Sequence, residues 1–394
     1  MKTIILAAGN GTRLKPFTET MSKPMIPIAN KPLLEWIIEA VEVCSEEIFI
    51  VVRKEQLDII DYFKNFQKIT FVYQSEPLGT ADAIGCCESY LKDYEGPILK
   101  LGGDDLISLE DINRISRLSG YYVGGFISDY PERFGVIETE DGFVVNIEEK
   151  PKNPKSNLVS CGLYMFDRKI FEYIKKVKLS ERGEFELNDA IEMLSKKEKF
   201  KVFEVKKWTT ITHPWELLEA NKLILDQIGT QIGKNVEIRP GTYIEYPVAI
   251  GDGSVLGPNC FIRRYSTIGK NCKIGNAVEI KNSIIMDHSY VSHLSYIGDS
   301  IIGKDCNIGA GAIFANLRLD NGNIFVNIND NKLDTECRKL GAFIGDNVKI
   351  AVSVTIMPGK KIWPNIKIPP CSMITKDIKE QPDLKNYEST RKRL

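Results

Sequence analysis

The 394-residue chain contains no apolar run approaching the ~20 residues of a membrane-spanning helix, so no span is expected. Its first apolar stretch, Thr3 to Ala8, is too short for a signal peptide and runs into glycines and charges rather than a cleavage site. Positive residues (52 Lys and Arg) nearly balance negative ones (53 Asp and Glu), and no long basic block occurs. A net charge of −1 without such a block argues against a nucleic-acid partner. Nine cysteines form no C-x-x-C pair or other metal-like spacing, and the odd count suits reduced thiols used as small apolar fillers in a cytoplasmic protein. Single cores rarely grow past about 250–300 residues, so this length predicts two domains.

What is present begins with that first apolar run. Thr3 to Ala8 reads as a buried strand that empties into a loop with Gly9 and Gly11, then Arg13 and Lys23. Glycines let successive backbone N–H groups approach an anion, Arg13 offers a planar fork of donors, and Lys23 a movable point charge. This is a phosphate cradle but not a P-loop: G-x-x-x-x-G-K-[ST] is lacking, and Leu14 occupies the third glycine position of G-x-G-x-x-G. A helix over Pro32 to Val43, a strand over Ile48 to Val52, a helix around Gln56–Phe66 and a strand Ile69–Tyr73 follow. That alternation predicts an α/β fold with a mostly parallel, doubly wound, Rossmann-like sheet, whose ligands lie at the carboxyl ends of strands.

The pattern Ala7-Ala-Gly-x-Gly-Thr-Arg-Leu-x-Pro-x-Thr18, followed by Lys23-Pro24, resembles the N-terminal signature of the sugar-1-phosphate nucleotidylyltransferases. The resemblance implies that Gly9, Gly11, Arg13 and Lys23 handle the phosphates of an NTP. It gives Gln74, Gly79 and Thr80, in Gln74-Ser-Glu-Pro-Leu-Gly-Thr-Ala-Asp82, the role of reading the base. Asp104, at the end of the strand Pro97–Leu101 and directly after Gly103, matches the family's Mg²⁺-binding Asp; Asp105 is a less specific match. Gly135-Val-Ile-Glu138, Ile147-Glu-Glu-Lys-Pro151 and Ser160-Cys-Gly-Leu-Tyr164 match sugar-side segments, so Gly135, Glu148 or Glu149, and Lys150 would hold the sugar and its phosphate. Glu184–Asp189 resembles a further such segment, and Ser160 stands where uridylyltransferases often have Asn. The family's Trp-x-Asp motif appears as Trp208-Thr-Thr210, with Thr210 in place of the second metal-binding Asp. His213 beside it reads as a loop residue, and a helix runs from about Pro214 to Ile228.

From Ile232 an apolar residue recurs every sixth position through Ile280, resumes at Ile302, Ile308 and Phe314, and again from Ile344 to Ile374. A period of six marks a hexapeptide β-helix, in which each turn stacks its inward residue on the turn below. This half resembles the left-handed β-helix acyltransferases. Over both halves the chain resembles most closely the bifunctional N-acetylglucosamine-1-phosphate uridylyltransferase/glucosamine-1-phosphate N-acetyltransferases, in their archaeal type, which implies a place in UDP-N-acetylglucosamine synthesis. The matches are Arg263 in Gly257-Pro-x-x-x-x-Arg, Lys281 in Val278-Glu-Ile-Lys, His293-Leu-Ser-Tyr-Ile-Gly-Asp299 and Gly309-Ala-Gly-Ala-Ile-Phe-Ala-Asn316. They imply that Arg263 and Lys281 grip a sugar phosphate, Tyr296 and Asn316 orient the amino sugar, and His293 is general base. The family's Tyr after the Asn is Leu317 here.

The expected organisation is a nucleotidyltransferase domain over 1–226, a β-helix acyltransferase domain over 227–375 and a charged tail over 376–394. The resemblance implies an NTP (UTP or dTTP), a sugar 1-phosphate and acetyl-CoA as substrates, Mg²⁺ as cofactor, and a homotrimer. Two other readings stay open: a nucleotidylyltransferase whose β-helix only oligomerises, and a sugar-nucleotide-binding regulatory subunit that lost catalysis at Thr210.

Overall fold

Strand Lys2–Leu6 is buried on both faces at Thr3, Ile4 and Ile5, and it lies inside a nine-stranded sheet between Glu47–Val52 and Ile98–Gly102, parallel to each. In this computed structural model residues 1–382 are described; residues 383–394, most of the expected tail, lie outside. Ile69–Tyr73 completes a four-stranded parallel half beside Glu47–Val52. Its covering helices are amphipathic: in Leu33–Glu42 the buried residues Leu33, Leu34, Ile37, Ile38 and Val41 fall at helical spacing.

The remaining five strands depart from the mostly parallel expectation. Leu158–Phe166 runs antiparallel to Ile98–Gly102, and Phe143–Glu149 is antiparallel to Gly135–Glu140. Only Phe200–Glu204 is parallel to its neighbour Tyr121–Ile127. Gly135–Glu140 and Phe143–Glu149 are separated by the turn residues Asp141 and Gly142, both at positive φ. A connection that short can close only an antiparallel pair.

The chain folds as two compact units. The first comprises Met1–Asn10, Ser22–Met25 and Leu33–Thr210; the second comprises Gly11–Met21, Ile26–Pro32 and the chain from Ile211. The second unit is a left-handed parallel β-helix of three seven-stranded sheets, built from two- to four-residue strands. Inward residues stack in columns: Ile250, Ile268, Ile285, Ile302, Ile344 and Ile362 follow one another across a single sheet, all fully or almost fully buried. Corners need left-handed backbone, and Asn235, Asn259, Asn271, Asn347 and Asn365 supply it.

The irregular patch of the six-residue period has a geometric form. Ile268 pairs with Ile285 and Ile285 with Ile302, so two successive coils take 17 residues where the preceding one takes 18. In both, the missing residue falls at the corner after Ile280 or Ile297. The next coil leaves the same corner for a long excursion containing the hairpin Phe325–Ile328/Asn331–Asp334, closed at its base by a bridge between Leu317 and Lys339. Past the last full coil, Ile378 still pairs with Ile362.

Helix Glu216–Ile228 precedes the solenoid, and the side chain of its first residue ties down the loop before it. Glu216 accepts from the amides of Thr212 (2.5 Å) and His213 (2.8 Å), and from the His213 ring at 3.2 Å, while that ring stacks on Trp215. His213 thus stands in the loop, as expected, bonded to the helix's first side chain. Burial alone would raise the Glu216 carboxyl, but the His213 side chain and the two amides outweigh it and hold the group below the ordinary carboxylate range. A depressed carboxyl stabilises the fold above its unfolded pKa and loses that contribution as pH falls through the folded value. Glu216→Gln, which removes the charge from these hydrogen bonds, should therefore cost about 1–2 kcal/mol at pH 7. Thermal melts of both proteins from pH 7 to pH 3 check this: the gap should shrink as pH falls.

Candidate active sites

At the carboxyl end of Ile98–Gly102 the chain delivers two adjacent carboxylates. Gly103 donates its amide to Leu6 O at 2.8 Å, and a Cβ there would meet the same oxygen at 2.8 Å, so only glycine lets the two strands approach this closely. Asp104 pairs with Lys23 through Oδ2 and Nζ, both side chains remaining partly accessible. The loop after Lys2–Leu6 is held from behind, Arg53 Nε donating to Ala8 O (2.9 Å) and Gln56 Nε2 to Ala7 O (3.0 Å), while Gly9 and Asn10 stay exposed.

Asp105 points the other way and is buried. It accepts from Trp208 Nε1 at 3.1 Å, and strand Asp105–Ile107 pairs antiparallel with Trp208–Thr210 so that Thr210 lies directly opposite Asp105 and bonds to it through its side chain. Burial, reinforced by the Asp104 charge and only partly offset by Lys100, pushes the Asp105 carboxyl up to about 6. Lys100 is itself buried, which lowers its pKa, and it donates to Gly162 O at 3.2 Å. The substitution at Thr210 thus has a partner. A carboxylate stands at 105, and a second one at 210 would face it directly across the strand pair.

Two further polar groups lie in the first unit. Gln74, buried at the end of Ile69–Tyr73, donates to Asp82 Oδ2 (2.7 Å) and to Gly79 O (3.4 Å). Gly79 has φ 114°, and a Cβ there would lie 2.5 Å from Phe185 O. Thr80 Oγ1 accepts from the Leu187 amide at 3.0 Å, so its side chain ties two helices together. Glu149 collects Asn188 Nδ2 (3.0 Å), Arg182 Nη1 (3.2 Å) and Lys150 Nζ (3.5 Å), with Gly135 beside it in register. Glu148 alternates to the opposite, exposed face. Of the two glutamates left open by the sequence, Glu149 is the one brought to Gly135 and Lys150. Ser160, Tyr164 and Asn188 extend this group through hydrogen bonds of 2.7 Å each.

On the β-helix the predicted residues gather at the shortened corner. Lys281 Nζ (2.7 Å) and Asn282 Nδ2 (2.8 Å) donate to the two oxygens of Asp299, Asn316 Nδ2 donates to Asp299 at 2.5 Å, and the same amide lies 3.0 Å from the Tyr296 hydroxyl. Asp299 is the hub of this group and only 4% exposed, so its charge is held by the cluster. Sequence reasoning did not assign it a role, although it closes the motif that begins at His293. Arg263, one coil away on the same sheet, faces Glu279 (3.3 Å) and Glu245 (3.6 Å), and its Nε is buried without a hydrogen bond. His293 ends the strand Tyr290–His293 on the neighbouring sheet. Its ring is exposed and has no partner among the described residues, and its carbonyl is pinned by Ser295 Oγ and the Gly311 amide. Arg13 lies in the second unit, where it lines a cavity with Lys360, Lys361 and Lys376. All nine cysteines are free thiols, and no described helix is long and apolar enough to cross a membrane.

A Rossmann-like sheet with a Lys–Asp pair at its carboxyl edge, followed in sequence by a hexapeptide solenoid with a charged hub, defines a two-part transferase. Residues 2–227 match the family model of nucleotidyl transferases, and residues 244–378 that of the GMPPB C-terminal domain. The bifunctional protein GlmU of Methanocaldococcus jannaschii is 42% identical over 398 residues, with 96% of each chain covered. A bifunctional sugar-1-phosphate nucleotidylyltransferase/acetyltransferase of Sulfurisphaera tokodaii is 37% identical over 96% of this chain and 98% of its own. A solved structure described as a glucose-1-phosphate thymidylyltransferase of Bacillus anthracis, in complex with sucrose, has a TM-score of 0.52 and 32% identity, covering 57% of this chain and 96% of that one. The chain belongs to the family of GlmU-like bifunctional sugar-1-phosphate nucleotidylyltransferase/acetyltransferases. It is an enzyme with nucleotidyltransferase and acetyltransferase functions in amino-sugar nucleotide synthesis.

Proposed function

We propose that the β-helix acetylates glucosamine 1-phosphate and that the N-terminal domain, residues 1–226, joins the product to UMP from UTP, the protein working as a homotrimer. The observation that carries the first half is the Lys281–Asp299–Asn316–Tyr296 cluster: a solenoid that only oligomerised would need no buried, fully bonded charge at one corner. Lys281 and Arg263 would bind the sugar phosphate, while Tyr296 and Asn316 would orient the amino group. His293 takes the proton as the amine attacks the thioester carbonyl; the C–N bond forms, the C–S bond breaks, and CoA leaves as the thiol.

In the second half, a phosphate oxygen of the sugar 1-phosphate attacks the α-phosphorus of the NTP and pyrophosphate departs. The work is positioning and charge neutralisation, by Gly9, Gly11 and Lys23 at the phosphates and by Glu149, Lys150 and Gly135 at the sugar. Arg13 is assigned to the same phosphates by the resemblance, where its guanidinium would add a planar fork of donors. Gln74 with the Gly79–Thr80 backbone would read the base. Hard oxygen donors suit Mg²⁺, which needs only one or two carboxylates beside substrate phosphates; Asp104, accessible and now paired with Lys23, fits, with Asp105 behind it. Bound there, the ion would add positive charge against the phosphate oxygens.

Pyrophosphate release with Mg²⁺, from UTP and dTTP in turn against glucose-, glucosamine- and N-acetylglucosamine 1-phosphates, tests the reading. Fastest release from UTP with N-acetylglucosamine 1-phosphate is expected. No release from folded protein with any pair would overturn it in favour of a binding module.

A further inference from the structure

The connection Arg53 to Gln56, between strand Glu47–Val52 and helix Leu57–Phe63, does more than join the two elements. Arg53 Nε and Gln56 Nε2 donate to the carbonyls of Ala8 and Ala7, and Gln56 Oε1 accepts from the Arg53 amide at 2.8 Å. Gln56 is 4% exposed, with both ends of its side-chain amide bonded. A trans peptide sets each N–H opposite the preceding C=O, so drawing those two carbonyls toward Arg53 and Gln56 turns the amides of Ala8 and Gly9 to the other side. One short segment thereby fixes how the glycine loop presents its backbone.

The same segment reaches a second piece of the ligand edge through Asp58, in the first turn of the helix. Asp58 Oδ2 accepts from the Ser22 amide and Oδ1 from the Ser22 hydroxyl, both at 2.7 Å, across 36 residues of sequence. The Ser22 carbonyl accepts in turn from the Met25 amide at 2.8 Å. All three polar groups of Ser22 are thus occupied, and the backbone from which Lys23 springs is held on both sides. Charge-assisted bonds of this length are the strong kind, and a carboxylate with both oxygens on one residue cannot swing. Lysine is a point charge on a flexible four-carbon stem, so the place its ammonium reaches depends on where its Cα is held. From this root Lys23 Nζ meets Asp104.

We propose, resting on the assignment of Lys23 to the NTP phosphates, that Asp58 is a positioning residue for nucleotidyl transfer: through Ser22 it fixes the place from which the Lys23 ammonium neutralises phosphate charge. Asp58 acts only through other residues. A misplacement of about 1 Å at a group that neutralises charge is enough to slow such a step severely. The test is steady-state pyrophosphate release by the full chain, with the NTP and sugar 1-phosphate that react fastest, for Asp58→Ala, Asp58→Asn, Ser22→Ala and Ser22→Ala/Asp58→Ala. CoA release and a thermal melt on each preparation report that the protein is folded.

Asp58→Ala should lower kcat/KM for the NTP by about tenfold, with KM for the NTP raised, while KM for the sugar 1-phosphate and CoA release keep their wild-type values. A plain loss of folded protein would lower kcat and move neither KM. Asn at 58 keeps an oxygen for the Ser22 amide and should recover most of the loss. Both side chains serve one contact, so the double variant should be no worse than Asp58→Ala. Wild-type kinetics in Asp58→Ala, a loss confined to kcat, or additive losses in the double variant would each overturn the proposal. If Asp58→Ala does not fold, Ser22→Ala carries the same test with the loss of one hydroxyl: KM for the NTP must still rise. Lys23→Ala separates the two assignments. Normal release in Lys23→Ala would remove Lys23 from the phosphates and the role of Asp58 with it, whereas impaired release there beside normal Asp58→Ala would overturn the role of Asp58 alone.

Discussion

His293→Ala is expected to lower the release of free CoA by about 10²–10⁴-fold while pyrophosphate release stays at the wild-type rate. The ring is presented rather than used structurally. Its backbone carbonyl holds two hydrogen bonds, yet no described side chain bonds to the imidazole, so truncation removes a base without opening the solenoid. An attacking ammonium must lose a proton before or as it adds to the thioester, and imidazole is the side chain suited to that near neutral pH. Parallel thiol-trapping and pyrophosphate assays on one preparation would show the split. CoA release within a factor of two of wild type would remove His293 from the role, and loss of both activities would mean the two reactions are not separate.

Asp104→Asn is expected to reduce pyrophosphate release on the order of 10²–10³-fold and to leave CoA release intact. The side chain keeps its size, so Gly103 can still close on Leu6 O, but Lys23 loses its counter-charge. With the amide in place, higher Mg²⁺ should be needed for half-maximal release. An unchanged Mg²⁺ dependence with normal turnover would exclude Asp104 as the cation's ligand.

The sheet's first half was legible because its strands are continuous apolar runs separated by amphipathic helices. Its second half was not, since antiparallel strands between 121 and 204 depend on a short turn at Asp141-Gly142 that periodicity does not reveal. The solenoid was legible coil by coil for the same reason that it stacks: one inward Ile or Leu per six residues. Individual roles were harder. Thr210 reads in sequence as a lost ligand, and only the pairing of Asp105 with Thr210 shows a carboxylate on the facing strand. Glu148 and Glu149 are indistinguishable until strand alternation puts one toward Gly135 and the other toward solvent. Asp299 escaped notice because a lone Asp at a corner is ordinary; its role appears only when the side chains of Lys281, Asn282 and Asn316, from the coils on either side, converge on it.

The 17-residue coils carry a consequence of another kind. A repeat that stacks identical turns has no way to make one turn chemically different from the next by its inward residues, since those are interchangeable apolar fillers. Corners are exempt, because chain length there can vary without shifting which residues face inward. Twice a residue is missing at one corner, and on the following coil the same corner opens into the excursion after Asn316. Lys281, Asp299 and Asn316 stand on those three successive corners. The periodic fold thus acquires an address, a unique place on a surface otherwise alike along its length, through deletion and insertion rather than through any change in its core.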